Sequence, residues 1–183
     1  MKRWIVDTNV PIVANGRPAA DVVGDPSIDC REAAVAFLLN LERRQGVWVD
    51  EESRVVEEYR RHLSPSGQPG VGDRFYQKVL NDWRFAERCA LPVCDDGEYV
   101  DLPRSLADAR FDPSDRKFAA LARRCRAPVA NAVDSDWIEH GALLEAEGIR
   151  VEHLCGCDPA AWFSGGVTAP VQPSRRRDRT PHR

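Results

Sequence analysis

Apolar and polar positions fall into short blocks that switch between the strand and the helix period. Lys2 to Val6 ends apolar and runs straight into Asp7, the pattern of a buried first strand. Residues 14–30 are rich in Gly, Pro and Asp and predict a loop. Arg31 to Arg44 places Ala34, Phe37, Leu38 and Leu41 on one helical face, and Gly46 is expected to stop that helix. Val47-Trp48-Val49 predicts a short strand followed by Asp50. Glu51 to Leu63 predicts a helix with Val55, Val56, Tyr59 and Leu63 inward. The Pro- and Gly-rich stretch 64–72 predicts a loop. Asp73 to Arg88 then predicts a helix with Phe75, Val79, Leu80 and Trp83 inward.

Ala90–Cys94 and Tyr99–Leu102 read as strand pieces around the turn Asp95-Asp96-Gly97. Asp112-Pro113-Ser114-Asp115 carries a helix-start signature, with Asp112 as the cap and proline at the first helical position. That helix runs to about Arg124. Pro128 to Val133 predicts a strand, Ser135 to Glu147 a helix ended by Gly148, and Ile149 to Leu154 a last strand. Asp158 to Phe163 predicts a closing helical turn. From Ser164 on, Gly, Pro, Ser and Arg replace apolar periodicity. The expected organisation is one folded domain over 1–163 and a disordered basic tail over 164–183.

Strands alternating with helices predict an α/β fold with a central, mostly parallel sheet covered on both faces. In such folds the working site lies beyond the carboxyl ends of the strands. The composition agrees with an ordered domain, since the 183 residues are 43% hydrophobic and 30% charged. A formal net charge of -3 excludes a polycation that holds nucleic acid by bulk charge. Nucleic acid would have to be met by a local patch or through cations on the protein's own acids. No apolar run reaches membrane-spanning length, and Asp7 interrupts the N-terminal segment before a signal-peptide core can form. The expected location is therefore the cytoplasm, with Cys30, Cys89, Cys94, Cys125, Cys155 and Cys157 reduced. Cys155-Gly156-Cys157 is the one tight cysteine pair, and no second pair completes a four-ligand zinc site.

The acids at strand ends carry the candidate chemistry. Asp7 follows the first predicted strand, and Asp134 and Asp136 follow the strand at 128–133. Neighbouring strands would bring them to one edge, where they repel unless protons or a cation intervene. Hard cations such as Mg²⁺ and Mn²⁺ prefer oxygen ligands. Asp115 opens its helix beside Phe118, Leu121 and Ala122, and Glu58 borders the apolar face of its own helix; Glu57 points farther outward. Each acid also has a plain structural role open to it. Asp115 fits the third position of the Asp112 cap, Asp136 fits a cap with Glu139 as its partner, and Glu58 fits a solvated charge near Arg61 and His62. An acid directly after a buried strand is a poor structural choice, so Asp7 is hardest to explain away.

Ile5-Val6-Asp7-Thr8-Asn9-Val10, Val49 to Tyr59, Asp112 to Phe118 and Asn131 to Trp137 together resemble the four motifs of the PIN-domain nucleases, in the same order, over residues 3–137. The resemblance implies a three-layer α/β/α sandwich and Mg²⁺- or Mn²⁺-dependent cleavage of RNA. It implies that Asp7, Glu58, Asp115, Asp134 and Asp136 form the metal and catalytic cluster. Asn9 would orient Asp7 or a water in the metal's shell, and Thr8 would support the same cluster by hydrogen bonding. The stretch 64–72 and the helix after it depart from a minimal family member. Expected partners are an RNA substrate, an antitoxin or other inhibitory protein if the nuclease is of toxin type, and a second copy in a homodimer.

The expected chemistry is phosphodiester hydrolysis, in which two metal ions about 4 Å apart activate water and stabilise the leaving oxygen. His62, His140 and His153 lie outside the motifs, while Arg116 and Lys117 beside Asp115 fit phosphate contacts or solvated helix charges equally well. Two alternatives stand beside this expectation. An aspartate-based phosphatase would use Asp7 as nucleophile, but Asn9 replaces the second acid of its Asp-x-Asp pair. A non-catalytic RNA- or protein-binding module would not need acids at all four motifs.

Overall fold

The computed structural model of the protein describes residues 2–17, 24–67 and 69–164. The tail expectation, with Arg175, Arg176, Arg177, Arg179 and Arg183, falls almost wholly outside the described residues. Five strands form the sheet: β1 (Arg3–Val6), β2 (Gly46–Asp50), β3 (Ala86–Cys89), β4 (Val129–Asn131) and β5 (Val151–His153). The helices are α1 (Asn9–Ala14), α2 (Ile28–Arg44), α3 (Arg54–His62), α4 (Val71–Asn81), α5 (Arg104–Asp108), α6 (Arg116–Cys125), α7 (Asp136–Glu139) and α8 (Gly141–Ala146), with a 3₁₀ turn at Pro159–Ala161. Every strand pairing is parallel, in the order β3-β2-β1-β4-β5. Helices flank this sheet, so the three-layer α/β/α expectation holds.

The order reverses beside β1, because the chain winds outward through β2 and β3 and then crosses back to β4 on the other side. Ligand sites of doubly wound sheets lie at such a switch point. Asp7 leaves the end of β1 there, its N–H bonded to the carbonyl of Ala130 in β4 at 3.0 Å. Burial on both faces explains why β1 and β2 read as continuous apolar runs. Ile5, Val6, Val47 and Val49 are all inaccessible or nearly so. Helix α6 buries Lys117 through Ala122 without interruption. Its three alanines leave room for backbone to approach, while Phe118 and Leu121 each contribute roughly 1.5–3 kcal/mol of burial.

Several element boundaries differ from the sequence expectation, each for a local reason. Helix α1 arises in Asn9–Ala14, where β-branched residues suggest no helix; all six residues are buried. Helix α2 starts three residues early because the Ser27 hydroxyl accepts from the Cys30 N–H. It ends at Arg44, and Gly46 opens β2 instead of stopping the helix. Helix α3 begins at Arg54 because the buried Asp50 carboxylate accepts from the N–H groups of Arg54 and Val55, each at 2.8 Å. The helix expected over 73–88 is in fact α4 followed by the edge strand β3. Asp82 makes the break by accepting from the N–H groups of Arg84 and Phe85. Trp83, expected inward, is 77% exposed. The predicted helix 135–147 divides into α7 and α8 at His140. The strand pieces around residue 95 amount to one antiparallel bridge, Val93 to Tyr99.

The end of the Pro- and Gly-rich stretch has a packing cause. A Cβ on Gly72 would lie 1.9 Å from the carbonyl oxygen of Pro11, so only glycine lets α4 pack this closely on α1. The reduced-thiol expectation is corrected for two cysteines: Cys30 at the start of α2 and Cys155 after β5 form a disulfide. Their 125-residue separation left no spacing signal to read. Cys89, Cys94, Cys125 and Cys157 are free. Among the described residues, no helix is long and apolar enough to cross a membrane.

Candidate metal centre

Three elements converge at the switch point, and each delivers one aspartate. Asp7 comes from the end of β1, Asp115 from the start of α6, and Asp134 from the loop after β4. One carboxylate oxygen from each lies within 4.8 Å of the other two. Asp7 and Asp115 are buried and Asp134 is half-buried.

Local backbone logic aims each side chain. Asp7 accepts from the Asn9 backbone N–H at 3.2 Å through Oδ1 and from the Trp137 indole at 2.6 Å through Oδ2. Asp112 takes over the turn before α6, accepting from the Ser114 N–H and hydroxyl. Regular helix therefore starts at Arg116, three residues later than the cap signature suggests. Asp115 occupies the N-cap position without capping the helix by its side chain, which leaves that side chain for the cluster. Asp134 is stapled by Asn131, which accepts from the Asp134 N–H and donates to its carbonyl.

Crowding of carboxylates in a buried place favours their neutral forms. Burial, then the charge of Asp134, pushes the Asp7 carboxyl up to about 8; Glu58 adds to this, while the hydrogen bonds from Asn9 and Trp137 pull it down. Burial and then Asp7 and Asp134 push Asp115 up to about 10. Burial also raises Asp134. Without a cation, this cluster holds protons at neutral pH.

The other two expected site acids lie beside the trio and have partners of their own. Glu58 accepts from the Thr8 hydroxyl at 2.8 Å and forms an ion pair with Lys117. Lys117 is only 8% exposed and also donates to the Ser114 carbonyl. Asp136 accepts from the Asp112 N–H at 2.8 Å and lies 3.2 Å from the His140 ring nitrogen. The Asn9 side chain bonds Asn131 and the Ala132 N–H, so its backbone, not its amide, contacts Asp7. Glu57 points outward and pairs with Arg60.

Trp137 and Asn131 were not among the expected site residues, and Lys117 was weighed as a phosphate contact or a solvated helix charge. The signal for Trp137 was its place one residue after Asp136 at a helix start, where an indole N–H needs a buried acceptor. Asn131 ends a strand buried on both faces, a place where an amide must find partners.

No family model matches the chain, and no curated protein matches it in sequence. Among solved structures, the VapBC2 complex of Rickettsia felis bound to a DNA fragment from its promoter is similar, with 15% identity and a TM-score of 0.47. The match covers 84% of this chain and 98% of that one.

Proposed function

We propose that this chain is a divalent-metal-dependent endoribonuclease of the PIN type that hydrolyses RNA phosphodiester bonds. The observation that carries this reading is the meeting of Asp7, Asp115 and Asp134, from three distant parts of the chain, at the switch point of a parallel sheet. The donor set fits the ion: three crowded carboxylates whose proton affinity burial raises offer hard oxygen ligands to Mg²⁺ or Mn²⁺. Such an ion supplies Lewis-acid polarisation of the phosphoryl oxygen and lowers the pKa of water.

The chain's residues supply the rest. Asp7, Asp115 and Asp134 would hold the cation, and the Trp137 indole and Asn9 N–H fix the rotamer of Asp7. Glu58 and Asp136 complete the acid set at its rim, with Thr8 and Lys117 fixing Glu58 and the Asp112 N–H and His140 fixing Asp136. Lys117 offsets negative charge at the centre, so an RNA phosphate approaches a less repulsive site. No cysteine, serine or histidine nucleophile is needed. The phosphatase alternative gains nothing, because the Asn9 side chain is committed to Asn131 and Ala132.

The test is incubation of the full chain with single-stranded RNA in Mg²⁺, in Mn²⁺ and in EDTA. Cleavage in either metal and none in EDTA is expected. Equal cleavage in EDTA would end the metal reading, and intact RNA throughout would end the nuclease reading. The toxin-type form, with an antitoxin as protein partner, adds one expectation: expression arrests growth of a bacterial host, and Asp7→Asn relieves the arrest.

A further inference from the structure

At the opposite end of α6 from Asp115, the protein forms a second charged concavity. Ten helical residues separate the two, about 15 Å of helix. The cavity has a volume of about 850 Å³, within the range of small-ligand sites. Four arginines line it: Arg123, Arg124 and Arg126 from the end of α6, and Arg150 from the approach to β5.

Arginine near a helix C-terminus is ordinary, because it complements the carbonyl end of the helix. Two features go beyond that. First, the four guanidiniums fall into two kinds. Arg123 lies 3.7 Å from Glu147, and Arg124 bonds Asp101 at 2.9 Å, so both are held in place. Arg126 and Arg150 are exposed and have no carboxylate partner among the described residues. With Asp101 and Glu147 already paired, the lining keeps an excess of two positive charges. Second, Arg126 occupies the left-handed position just past α6, at φ 51° and ψ 37°. Glycine or asparagine usually takes that position, and a bulky side chain there is held at a cost in backbone energy.

We infer that this cavity binds phosphate groups, with Arg126 and Arg150 as the contacting residues and Arg123 and Arg124 as fixed supporting charge. The planar guanidinium fork matches phosphate oxygens two at a time. The paired carboxylates of Asp101 and Glu147 suit a ligand that also carries hydroxyl groups, as a phosphate ester of a sugar does. This site is independent of the metal reading, since it uses none of the residues near Asp7.

The same phosphate chemistry comes from free phosphate compounds or from a polynucleotide backbone, and two probes separate the sources. Both are measured in EDTA, on the full chain and on the double variant Arg126→Asn, Arg150→Gln. Asparagine tolerates the left-handed position, so the variant keeps the end of α6; an unchanged melting temperature checks this, and Arg150→Gln alone serves if the double variant does not fold. By calorimetry, the substitution is expected to weaken inorganic pyrophosphate binding by about tenfold or more. For a single-stranded RNA oligomer, loss of two phosphate contacts should flatten the dependence of log affinity on log salt by about 1.4. A change with pyrophosphate alone assigns the site to free phosphate compounds, and a change with RNA alone assigns it to a polynucleotide. Affinities within twofold of wild type for both probes, or no pyrophosphate and no RNA binding by the wild-type chain, overturn the inference.

Discussion

The Trp137 indole donates to Asp7 Oδ2 at 2.6 Å, across 130 residues of sequence. Both groups are buried, so this bond opposes the rise in proton affinity that burial imposes on Asp7. Trp137→Phe keeps an aromatic ring beside Phe111, removes the donor and leaves a small void in the buried site. Asp7 should then hold its proton more tightly, and a cation must displace that proton to bind. The pH midpoint of Mn²⁺ binding, followed by calorimetry, is expected to move upward. A midpoint equal to wild type would reduce Trp137 to packing.

The metal-free protein should lose stability as pH rises. Asp7 and Asp115 bind protons more tightly folded than unfolded, from an ordinary 3.8 to about 8 and about 10. Their stabilising contribution is complete below about pH 4 and is lost as pH climbs through those folded values. Asp7→Asn removes one titrating group and its repulsion. Thermal melts in EDTA should show a shallower decline between pH 5 and 8 and a higher melting temperature at pH 8. A variant that melts well below wild type would make Asp7 a structural residue.

Neighbouring glutamates on α3 should behave differently. Glu58 faces Thr8 and Lys117, while Glu57 points outward, half-buried, and pairs with Arg60. Glu58→Gln is expected to slow RNA cleavage by at least roughly tenfold, about 1.4 kcal/mol in the barrier. Glu57→Gln should remain within about twofold, as for a surface ion pair. Reversed results would move the site to the other face of α3.

Lys117→Met strands the Glu58 carboxylate beside three aspartates. Breaking a buried ion pair costs about 3–5 kcal/mol, so the variant should melt markedly lower in EDTA. Added Mn²⁺ should restore more of its melting temperature than the same ion adds to wild type. Equal gains in both proteins would separate Lys117 from the metal centre.

The Cys30–Cys155 bond closes a loop of 125 residues, so in the chain-entropy picture it contributes up to about 5 kcal/mol. Reduction with dithiothreitol, or Cys30→Ser, should lower the melting temperature by many degrees. A melt indifferent to reductant would mean that the bond adds nothing.

The sequence showed those parts of the fold and site that local chemistry determines. The end of β1 was visible because an apolar run stops at Asp7, and the Asp112 turn because its cap signature is local. What escaped depends on contacts made across the chain. Asp82 ends α4 through N–H groups only two and three residues on, but that Ala86–Cys89 then joins the sheet edge beside β2 is set by pairing with a distant strand. The helical periodicity over 73–88 simply continues through the break. Likewise Glu58 borders an apolar face in sequence, but only folding shows that Lys117, 59 positions later, reaches it first. The trio itself was legible as strand-end and helix-start acids; its proton-holding character follows from burial that no spacing reveals.

Gly72 lies in a stretch that looks freely substitutable, yet its missing side chain lets α4 rest against the Pro11 carbonyl. Helix α1 is short, and it begins two residues after Asp7. Any larger residue at position 72 must therefore push on the segment that carries Asn9 and the N–H holding Asp7. In a library sampling every amino acid at each position, selection for activity should treat this distant helix glycine as strictly as the aspartates themselves.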